Sequence, residues 1–392
     1  MNIAMVSARE SPLTATDRGG AGEQSTCVAE LAAALARRGH RVTVYTRRDD
    51  ADLPERSETP QGYHVVHVPA GAPKHLTDDE LLREMGPFAR FIGAAWTANS
   101  PDVIHAHCWM SGIATELVAR ELELPRVLSF HGLGADGLRR KMESKLANAA
   151  TGVSVGSTDE AFELIRLGTR RTNTAVIPCG VDVDVYAPDG PQAPRSEAPR
   201  VVGIGKLLPG KGFDTMIRPL PLIPNAEFVV IAEADSGDPS CAAEAARLRG
   251  LSEELGVADR LRLWEAARVA DMPALLRSAD VVVCTPSSES SGIVALKTMA
   301  CGVPVIGSAV GALRDILVHD VTGYLVARPD PRKLATAVNS LMRDSFLRHS
   351  MGSAGRDRVV ARYTWDRVAA DTVRLYERSM SMTRSEPRAA SG

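Results

Sequence analysis

The chain has 392 residues, of which 44% are hydrophobic and 24% charged, and its formal net charge is −2 at pH 7. This length allows two domains with separate cores, and a nearly balanced charge gives no basis for a nucleic-acid or anionic-membrane partner. Because the sequence shows neither a signal-peptide pattern nor an apolar run of the ~18 residues that span a bilayer, we expect a cytoplasmic protein without integral membrane association.

Short apolar strands alternate with amphipathic helices along the first half of the chain. The pattern predicts strands at 3–6, 41–45, 63–68, 102–106, 126–130, 152–155 and 174–178, and helices within 19–38, 81–98 and 158–168. Residues 184–199 interrupt this pattern, because they are rich in proline, alanine and charge. That composition is typical of a linker or surface segment.

The alternation resumes after the linker. It predicts strands at 201–204, 227–232, 260–264, 281–284, 303–306 and 324–327, with helical segments from 213 and at 242–255, 272–278, 331–344 and 365–379. Residues 383–392 are polar and contain proline, as expected for a frayed tail. Strands separated by helices indicate parallel βαβ units, so the fold class is α/β with two doubly wound sheets. We expect the ligand in a cleft between the two domains.

A carboxylate follows the strand at 281–284. Glu289 lies in the loop Thr285-Pro-Ser-Ser-Glu-Ser-Ser-Gly292, which leads into a helix that ends near Cys301. Open α/β sheets bind ligands at the carboxyl ends of their strands, and a helix start offers free N–H groups to an anion. This arrangement predicts a sugar-phosphate site in which Glu289 accepts hydrogen bonds from hydroxyl groups while the backbone binds phosphate.

A lysine-containing loop joins the strand at 201–204 to the next helix. In Gly205-Lys-Leu-Leu-Pro-Gly-Lys-Gly212, Lys206 follows the strand directly and Lys211 stands where the helix begins. Two cations on a glycine-rich loop suit a diphosphate and would stabilise its charge as a leaving group. Surface lysines are usually only solvated, but the Glu289 loop in the same half of the chain strengthens the functional interpretation.

Another glycine-rich loop, Asp17-Arg-Gly-Gly-Ala-Gly-Glu23, joins the first strand to its helix. Gly20 and Gly22 would let the backbone approach a phosphate closely at the helix start. The loop matches neither the Gly-x-Gly-x-x-Gly dinucleotide pattern nor a Walker loop. A plain flexible turn is the alternative.

Three histidines follow or end strands. His105 and His107 share one face of a strand and could together bind a metal, but the nearby sequence offers no third ligand, and strand-end histidines are more often hydrogen-bonded in the core. His131 follows the strand at 126–130. At that edge a neutral imidazole could bind a sugar hydroxyl, with a purely structural histidine as the alternative.

Taken in order, these motifs resemble the retaining GT-B glycosyltransferases, the group related to sucrose-phosphate synthases and bacterial mannosyl- and glucosaminyltransferases. The resemblance spans almost the whole chain and rests on Gly19-Gly-Ala-Gly22, Asp102-Val-Ile-His-Ala-His107, Ser129-Phe-His-Gly-Leu-Gly134, Ile177-Pro-Cys-Gly-Val-Asp182, Gly205–Gly212, the Glu289 loop, Met299-Ala-Cys-Gly-Val-Pro304 and Thr322-Gly-Tyr-Leu-Val326. It implies a GT-B fold, in which two Rossmann-like domains face each other across a cleft. Residues 1–183 would form the acceptor-binding domain, completed by a C-terminal helix at about 366–380, and residues 200–365 the donor-binding domain.

The resemblance also implies roles for individual residues. His131 and Glu289 would contact the donor sugar and support catalysis, and Gly20, Gly22, Lys206 and Lys211 would bind the donor diphosphate. The backbone N–H groups of Ser291, Gly292 and Ile293 would assist at the sugar. Such enzymes move a hexosyl or aminohexosyl group from a nucleotide-diphosphate sugar, here most simply a UDP sugar, to a hydroxyl of a small polar acceptor. They retain the anomeric configuration and need no metal or cofactor.

Lys297 departs from the pattern of the group, which has a glutamate there that binds the ribose hydroxyls. A charged lysine donates hydrogen bonds but cannot accept them, so this residue of the ribose region would bind phosphate or ribose oxygens, or select an unusual nucleotide. Lys206 stands where arginine is usual and loses bidentate phosphate recognition. A non-catalytic nucleotide-sugar-binding subunit is therefore one alternative. A nucleotide-sugar epimerase or phosphorylase of the same fold is another, although neither the extra carboxylates of the first nor the pyridoxal-binding lysine of the second is evident.

The segments 7–13 and 42–50 resemble actinobacterial members of the group, some of which glycosylate aminocyclitol antibiotics, kanosaminyltransferases among them. A cationic aminocyclitol acceptor, such as an aminoglycoside pseudodisaccharide in antibiotic biosynthesis, would favour an acidic surface. Asp78-Asp-Glu80 and Glu84 could supply one, whereas Arg139-Arg-Lys141 argues against it. The sequence gives no indication of oligomeric state.

Overall fold

The computed structural model describes residues 1–14, 22–134, 137–233, 239–267, 269–327 and 330–385. Its backbone divides into two compact units, Met1–Pro178 together with the C-terminal segment from Trp365, and Cys179–Thr364. Each unit is built on one sheet with helices between its strands, so the α/β fold class is confirmed. Among the described residues, no helix combines the length and apolar character needed to cross a bilayer.

The first unit has eight described strands in the order β3-β4-β2-β1-β5-β6-β7-β8, all parallel except the β3–β4 pair. Strand β5 is buried at every position, as expected for a parallel strand covered on both faces. The strands are β1 Asn2–Val6, β2 Arg41–Arg47, β3 Arg56–Glu58, β4 His64–Val68, β5 Val103–His107, β6 Arg126–Ser129, β7 Gly152–Val155 and β8 Thr174–Val176. The helices are α1 Glu23–Arg37, α2 Asp78–Arg83, α3 Met85–Ala98, α4 Trp109–Ala119, α5 Gly137–Ala149 and α6 Thr158–Arg166.

The second unit has six described strands, all parallel, in the order β11-β10-β9-β12-β13-β14. They are β9 Arg200–Gly205, β10 Glu227–Glu233, β11 Leu261–Ala267, β12 Val281–Cys284, β13 Val305–Ser308 and β14 Gly323–Val326. The helices are α7 Phe213–Ile217, α8 Pro239–Glu254, α9 Met272–Arg277, α10 Ile293–Ala300, α11 Gly311–Ile316, α12 Pro331–Arg343 and α13 Ser345–Arg362.

The last helix, α14 Trp365–Ser385, belongs to the first unit, where it packs against α1, β6 and β7. The buried Tyr376 hydroxyl forms a 2.8 Å hydrogen bond with Nδ1 of His105 in β5. Of the predicted tail at 383–392, residues 386–392 lie outside the described part of the chain.

Two features differ from the sequence pattern. The single helix expected at 81–98 is two helices that meet at Glu84. The break places Pro87 in the first turn of α3. A proline is tolerated there, because the N–H groups of the first turn have no partner within the helix. Helices α4, α5, α11 and α13 were not predicted.

The predicted linker at 184–199 packs on the second unit. Arg277 donates hydrogen bonds to the carbonyl oxygens of Ala187 and Pro191, and Arg195 donates to Asp280 at 2.6 Å. This segment is therefore anchored along its length rather than free.

Candidate active site

The strand order of the second unit places two of the predicted loops side by side. Strands β9 and β12 are neighbours, while the connections from them lead to opposite edges of the sheet. Such a topological switch point is where open α/β sheets bind ligands. The loop after β9 carries Lys206 and Lys211, and the loop after β12 carries Glu289.

Hydrogen bonds join these two loops. The Ser287 N–H donates to the Gly210 carbonyl at 2.9 Å, and the Thr285 hydroxyl donates to the Gly212 carbonyl at 3.0 Å. Gly212 has a φ of +80°, and a Cβ there would lie 1.8 Å from the Thr285 carbonyl oxygen. Only glycine fits this close approach, so the lysine loop and the carboxylate loop form one structure.

The Glu289 side chain is half-buried at the start of α10. Its Oε1 accepts hydrogen bonds from the N–H groups of Ser291 at 3.1 Å and Gly292 at 2.9 Å, and the Ile293 N–H donates to the Ser291 hydroxyl at 3.3 Å. These are the three N–H groups that the sequence predicted at a donor sugar. Here they hold the Glu289 carboxylate and its loop at the carboxyl edge of the sheet.

The charged groups at this edge affect the pKa of Cys284, the last residue of β12. Burial raises the pKa of its thiol to about 12, the nearby Glu289 carboxylate raises the same pKa, and Lys211 lowers it. The charges of Glu289 and Lys211 therefore both affect a thiol at the end of β12. Lys206 is exposed, and Lys297 in α10 places its Nζ 5.2 Å from the centroid of the Tyr186 ring.

In the first unit, a carboxylate that was not predicted occupies the start of α1. The Ser25 N–H donates to Oε2 of Glu10 at 3.0 Å, and a Cβ at Gly22 would lie 2.6 Å from the same oxygen. Glu10 therefore holds the helix end at which phosphate was predicted. Gly20, the other residue predicted there, lies outside the described residues.

His131 follows β6 with a φ of +56°, an uncommon conformation for a residue other than glycine. Its Nε2 lies 2.9 Å from Nδ1 of His107, in a hydrogen bond between two rings. Burial lowers the pKa of His131 to about 4, so the ring is neutral at pH 7. Neutral imidazole can donate one hydrogen bond and accept another, which suits contact with hydroxyl groups.

The contacts of His105 disfavour the metal alternative for the pair of His105 and His107. Nδ1 of His105 is bonded to the Tyr376 hydroxyl and Nε2 to the Ser129 hydroxyl, each at 2.8 Å. Both nitrogens are therefore already used within the protein. The described residues contain no group of three His, Cys, Asp or Glu side chains placed to hold a metal ion.

The loop after His131 is anchored by α5, which the sequence did not indicate. The buried Glu143 accepts a hydrogen bond from the Gly134 N–H at 2.8 Å and another from Arg139 at 2.7 Å. Arg139 also donates to the Gly132 carbonyl, and Arg140 to the Gly134 carbonyl. The four-residue spacing of Arg139 and Glu143 was the available sequence signal.

Two family models together match most of the chain. A glycosyl transferase 4-like domain matches residues 22–180, and the glycosyl transferases group 1 model matches residues 190–358. The chain belongs to the GT-B glycosyltransferases.

Curated relatives of this GT-B glycosyltransferase match it over nearly its whole length. The D-inositol 3-phosphate glycosyltransferase of Xylanimonas cellulosilytica is 32% identical, with 95% of this chain and 96% of the relative covered. The protein of the same name from Thermobispora bispora is 31% identical, with 96% and 95% covered.

Solved structures agree with the fold. Sucrose-phosphate synthase from Thermosynechococcus elongatus superposes with a TM-score of 0.85 at 26% identity, covering 97% of this chain and 99% of that one. Anabaena HepE in complex with UDP superposes with a TM-score of 0.75 at 19% identity, covering 96% and 100%. The second likeness shows the fold alone. Together the comparisons confirm the resemblance to the GT-B group that the sequence motifs indicated.

Proposed function

We propose that this GT-B glycosyltransferase moves a hexosyl or aminohexosyl group from a UDP sugar to a hydroxyl of a small polar acceptor, with retention of anomeric configuration. The observation that carries this proposal is the hydrogen-bonded pair of loops after β9 and β12, which holds Lys206, Lys211 and Glu289 at one sheet edge. A diphosphate leaving group needs positive charge, and a pyranose needs hydrogen-bond acceptors. This edge offers both.

Within the second unit, the two lysines bind the diphosphate and stabilise the charge that develops as the glycosidic bond breaks. Glu289 accepts hydrogen bonds from the donor sugar, and the N–H groups of Ser291, Gly292 and Ile293 assist at the start of α10 by holding the Glu289 loop. The lysines supply the positive charge that a metal ion would otherwise contribute. We therefore propose a reaction without a metal or cofactor.

Within the first unit, we propose that the neutral His131 contacts the donor sugar. Gly22 approaches the donor phosphate at the start of α1, where Glu10 accepts the Ser25 N–H in this structure, and the resemblance gives Gly20 the same role. A phosphate at this position replaces the Glu10 carboxylate as the partner of that N–H group.

For the acceptor we propose a cyclitol that carries amino groups. Helix α2 begins with three acidic residues, of which Asp78 is paired with Arg9 and Asp79 is exposed, and the Asp79 carboxylate favours a cationic partner. Of the basic residues that argue against it, Arg139 and Arg140 are paired with Glu143 and Glu163, and Lys141 is exposed. The names of the curated relatives favour D-inositol 3-phosphate as a second candidate.

Nucleotide binding tests the donor class first. Thermal unfolding is followed with UDP, GDP, ADP and dTDP, and a nucleotide at ~100 times its dissociation constant adds roughly 2.7 kcal/mol of stability. We expect a rise in Tm with UDP. If no nucleotide raises Tm, the transferase proposal fails, and if UDP binds without any transfer, the chain is a non-catalytic binding subunit.

The substitution Glu289→Gln tests the assigned site. We expect kcat to fall about 10²-fold or more, because the charged acceptor is lost where transition-state charge develops, while the Kd of UDP stays unchanged. The exposed Glu253 on α8 provides the matched control, since Glu253→Gln makes the same chemical change away from the sheet edge. Equal rates in Glu289→Gln and wild type would contradict the site.

Acceptor class and stereochemistry are read from products. UDP-glucose and UDP-N-acetylglucosamine are offered with a panel of aminocyclitol pseudodisaccharides, myo-inositol and D-inositol 3-phosphate, and the anomeric proton coupling of each product is measured by NMR. Transfer to D-inositol 3-phosphate alone would replace the aminocyclitol proposal. An inverted anomer would overturn retention.

A further inference from the structure

Three imidazoles lie in a row in the first unit, those of His105 and His107 buried and that of His131 half-buried. His105 and His107 project from the same face of β5, with ring centroids 4.2 Å apart, and His131 stacks on His107 with centroids 5.2 Å apart and planes inclined by 25°. His105 and His107 are 2% and 1% exposed. The proposed function gives a role to His131 but none to His107.

Only one of the two nitrogens that face each other in the His107–His131 hydrogen bond carries a proton. Burial lowers the pKa of both rings, to about 4 for His131 and well below the ordinary value for His107. Each ring is therefore neutral and carries one N–H. Across the 2.9 Å contact, either His107 Nδ1 donates to His131 Nε2 or His131 Nε2 donates to His107 Nδ1.

The other nitrogen of His107 decides between these two arrangements. Its Nε2 is buried and has no hydrogen-bond partner among the residues that the structure describes. Buried N–H groups without an acceptor are rare, and an acceptor left bare is less so. Nε2 is therefore the unprotonated nitrogen, and the proton of His107 resides on Nδ1.

The position of the proton on His107 fixes the position of the proton on His131. Its Nε2 accepts the proton of His107, so its own N–H is on Nδ1, which forms no hydrogen bond with any described residue. We propose that His107 is a positioning residue that fixes His131 as the Nδ1–H tautomer, so that this N–H can donate to an oxygen of the bound sugar. The contact with the sugar rests on the proposed function, whereas the tautomer does not.

Two residues at this pair have a positive φ, which is uncommon for residues other than glycine. Cys108, directly after His107, has a φ of 67°, and His131 has a φ of 56°. Such strain costs on the order of 1–3 kcal/mol per residue and occurs mainly at functional sites. A 2.7 Å hydrogen bond from the Cys108 N–H to the Ser129 carbonyl joins the two strand ends, so the orientation of both rings is fixed by the fold.

Imidazole nitrogen NMR on the full-length protein tests the tautomer without any substrate. Two-bond correlations between 15N and ring protons distinguish Nδ1–H from Nε2–H, and the signals of His131 are those lost in His131→Asn. We expect Nδ1–H for His131 in the wild type. A protonated Nε2 on His131 would overturn the inference.

Two variants test the role of His107. His107→Asn keeps an amide N–H where Nδ1 stood, and His107→Leu keeps a branched side chain without a donor. We expect His131 to remain Nδ1–H in the asparagine variant and to gain the Nε2–H form in the leucine variant. His105→Leu is the matched control, because His105 lies on the same strand face but bonds to Ser129 and Tyr376. It should leave the signals of His131 unchanged.

Transfer kinetics then separate positioning from mere support of the fold. In His107→Leu we expect kcat to fall about tenfold or more, because the donor to the sugar is misplaced, with the KM for the UDP sugar nearly unchanged and kcat largely restored in His107→Asn. A changed tautomer with unchanged kcat would overturn the positioning role. Absence of transfer in the wild type would contradict the proposed function, while the NMR result would still decide the tautomer.

Discussion

At the scale of single residues, Lys297 is the least expected side chain of the site. Its ammonium group lies 5.2 Å from the centroid of the buried Tyr186 ring, a cation–π contact worth about 0.5–1 kcal/mol at exposed sites and more when desolvated. The Tyr186 ring therefore stabilises the Lys297 ammonium group within the second unit. Lys297 does not need a phosphate partner to be stable where it is.

We predict that Lys297→Glu tightens UDP binding about tenfold, equivalent to about 1.4 kcal/mol, because a carboxylate can accept hydrogen bonds from ribose hydroxyls and an ammonium cannot. Isothermal titration with UDP measures the change. Lys297→Met is the control, since it removes the charge without supplying an acceptor. Weaker binding by both variants would mean that Lys297 binds the diphosphate.

Sequence pattern indicated the candidate site residues that depend on local order, but not their partners. Lys206, Lys211, Glu289 and His131 could be predicted as candidates because each lies in the loop after a strand, where ligands bind in parallel sheets. The contact of Glu10 with the Ser25 N–H and that of His107 with His131 join positions 15 and 24 residues apart. Such contacts depend on strand order and helix placement, which periodicity alone does not specify.

At the scale of elements, periodicity alone also failed to place a helix boundary. The apolar pattern at 81–98 is continuous, yet Pro87 divides it into α2 and α3. Helix α2 is further defined by a capping box, in which Thr77 and Glu80 bind each other's backbone N–H. Both signals are present in the sequence, and local chemistry overrides the periodicity here.

The junction of the lysine loop with α7 gives a sharp test at this scale. We predict that Gly212→Ala lowers Tm and weakens UDP binding, because the added Cβ would meet the Thr285 carbonyl and the φ of +80° disfavours it. Gly250→Ala, inside α8 with nothing within 4 Å of its Cβ, should instead stabilise by about 0.5–1 kcal/mol. Thermal unfolding and UDP titration of both variants check this. An unchanged UDP affinity in Gly212→Ala would contradict the role of the joined loops.

At the scale of the whole molecule, the chain pattern indicated two sheets of parallel strands, because alternating strands and helices admit few other folds. It did not show that residues 184–199 pack along the second unit, since their composition is that of a linker while their contacts come from Arg277 and Arg195. Nor could it show that Tyr376 reaches His105 across 271 residues. Long-range packing of this kind is decided by shape and by pairing of buried polar groups.

The row of His105, His107 and His131 makes the stability of the molecule depend on pH. Histidine has an ordinary pKa of 6.5, and burial lowers the pKa to about 3 for His105 and about 4 for His131, with His107 also lowered well below its usual value. Between pH 6.5 and about 4 the unfolded chain therefore binds more protons than the folded chain. The stability present above pH 6.5 is lost as the pH falls through this window.

Glu160 acts in the opposite direction. Burial raises the pKa of this carboxyl from 4.5 to about 7, so the folded chain binds the extra proton between these values, and stability falls as the pH rises through them. Near pH 5 the unfolded chain binds about three more protons than the folded chain at the histidines, and the folded chain binds about one more at Glu160. The unfolded chain therefore binds about two more protons in total. The free energy of unfolding should therefore fall by up to about 2.7 kcal/mol for each pH unit of acidification there.

We predict that Tm drops steeply as the pH is lowered from 6.5 to 4.5, measured by circular dichroism across a buffer series. Glu160→Gln separates the two effects, because a neutral amide cannot ionise. The variant should be more stable than the wild type at pH 8, where Glu160 is charged and buried, and close to it at pH 4.5, where Glu160 is protonated. In His107→Asn the acid slope should decrease by about one proton, or about 1.4 kcal/mol per pH unit. A slope equal to that of the wild type would mean that His107 is not held neutral by the fold.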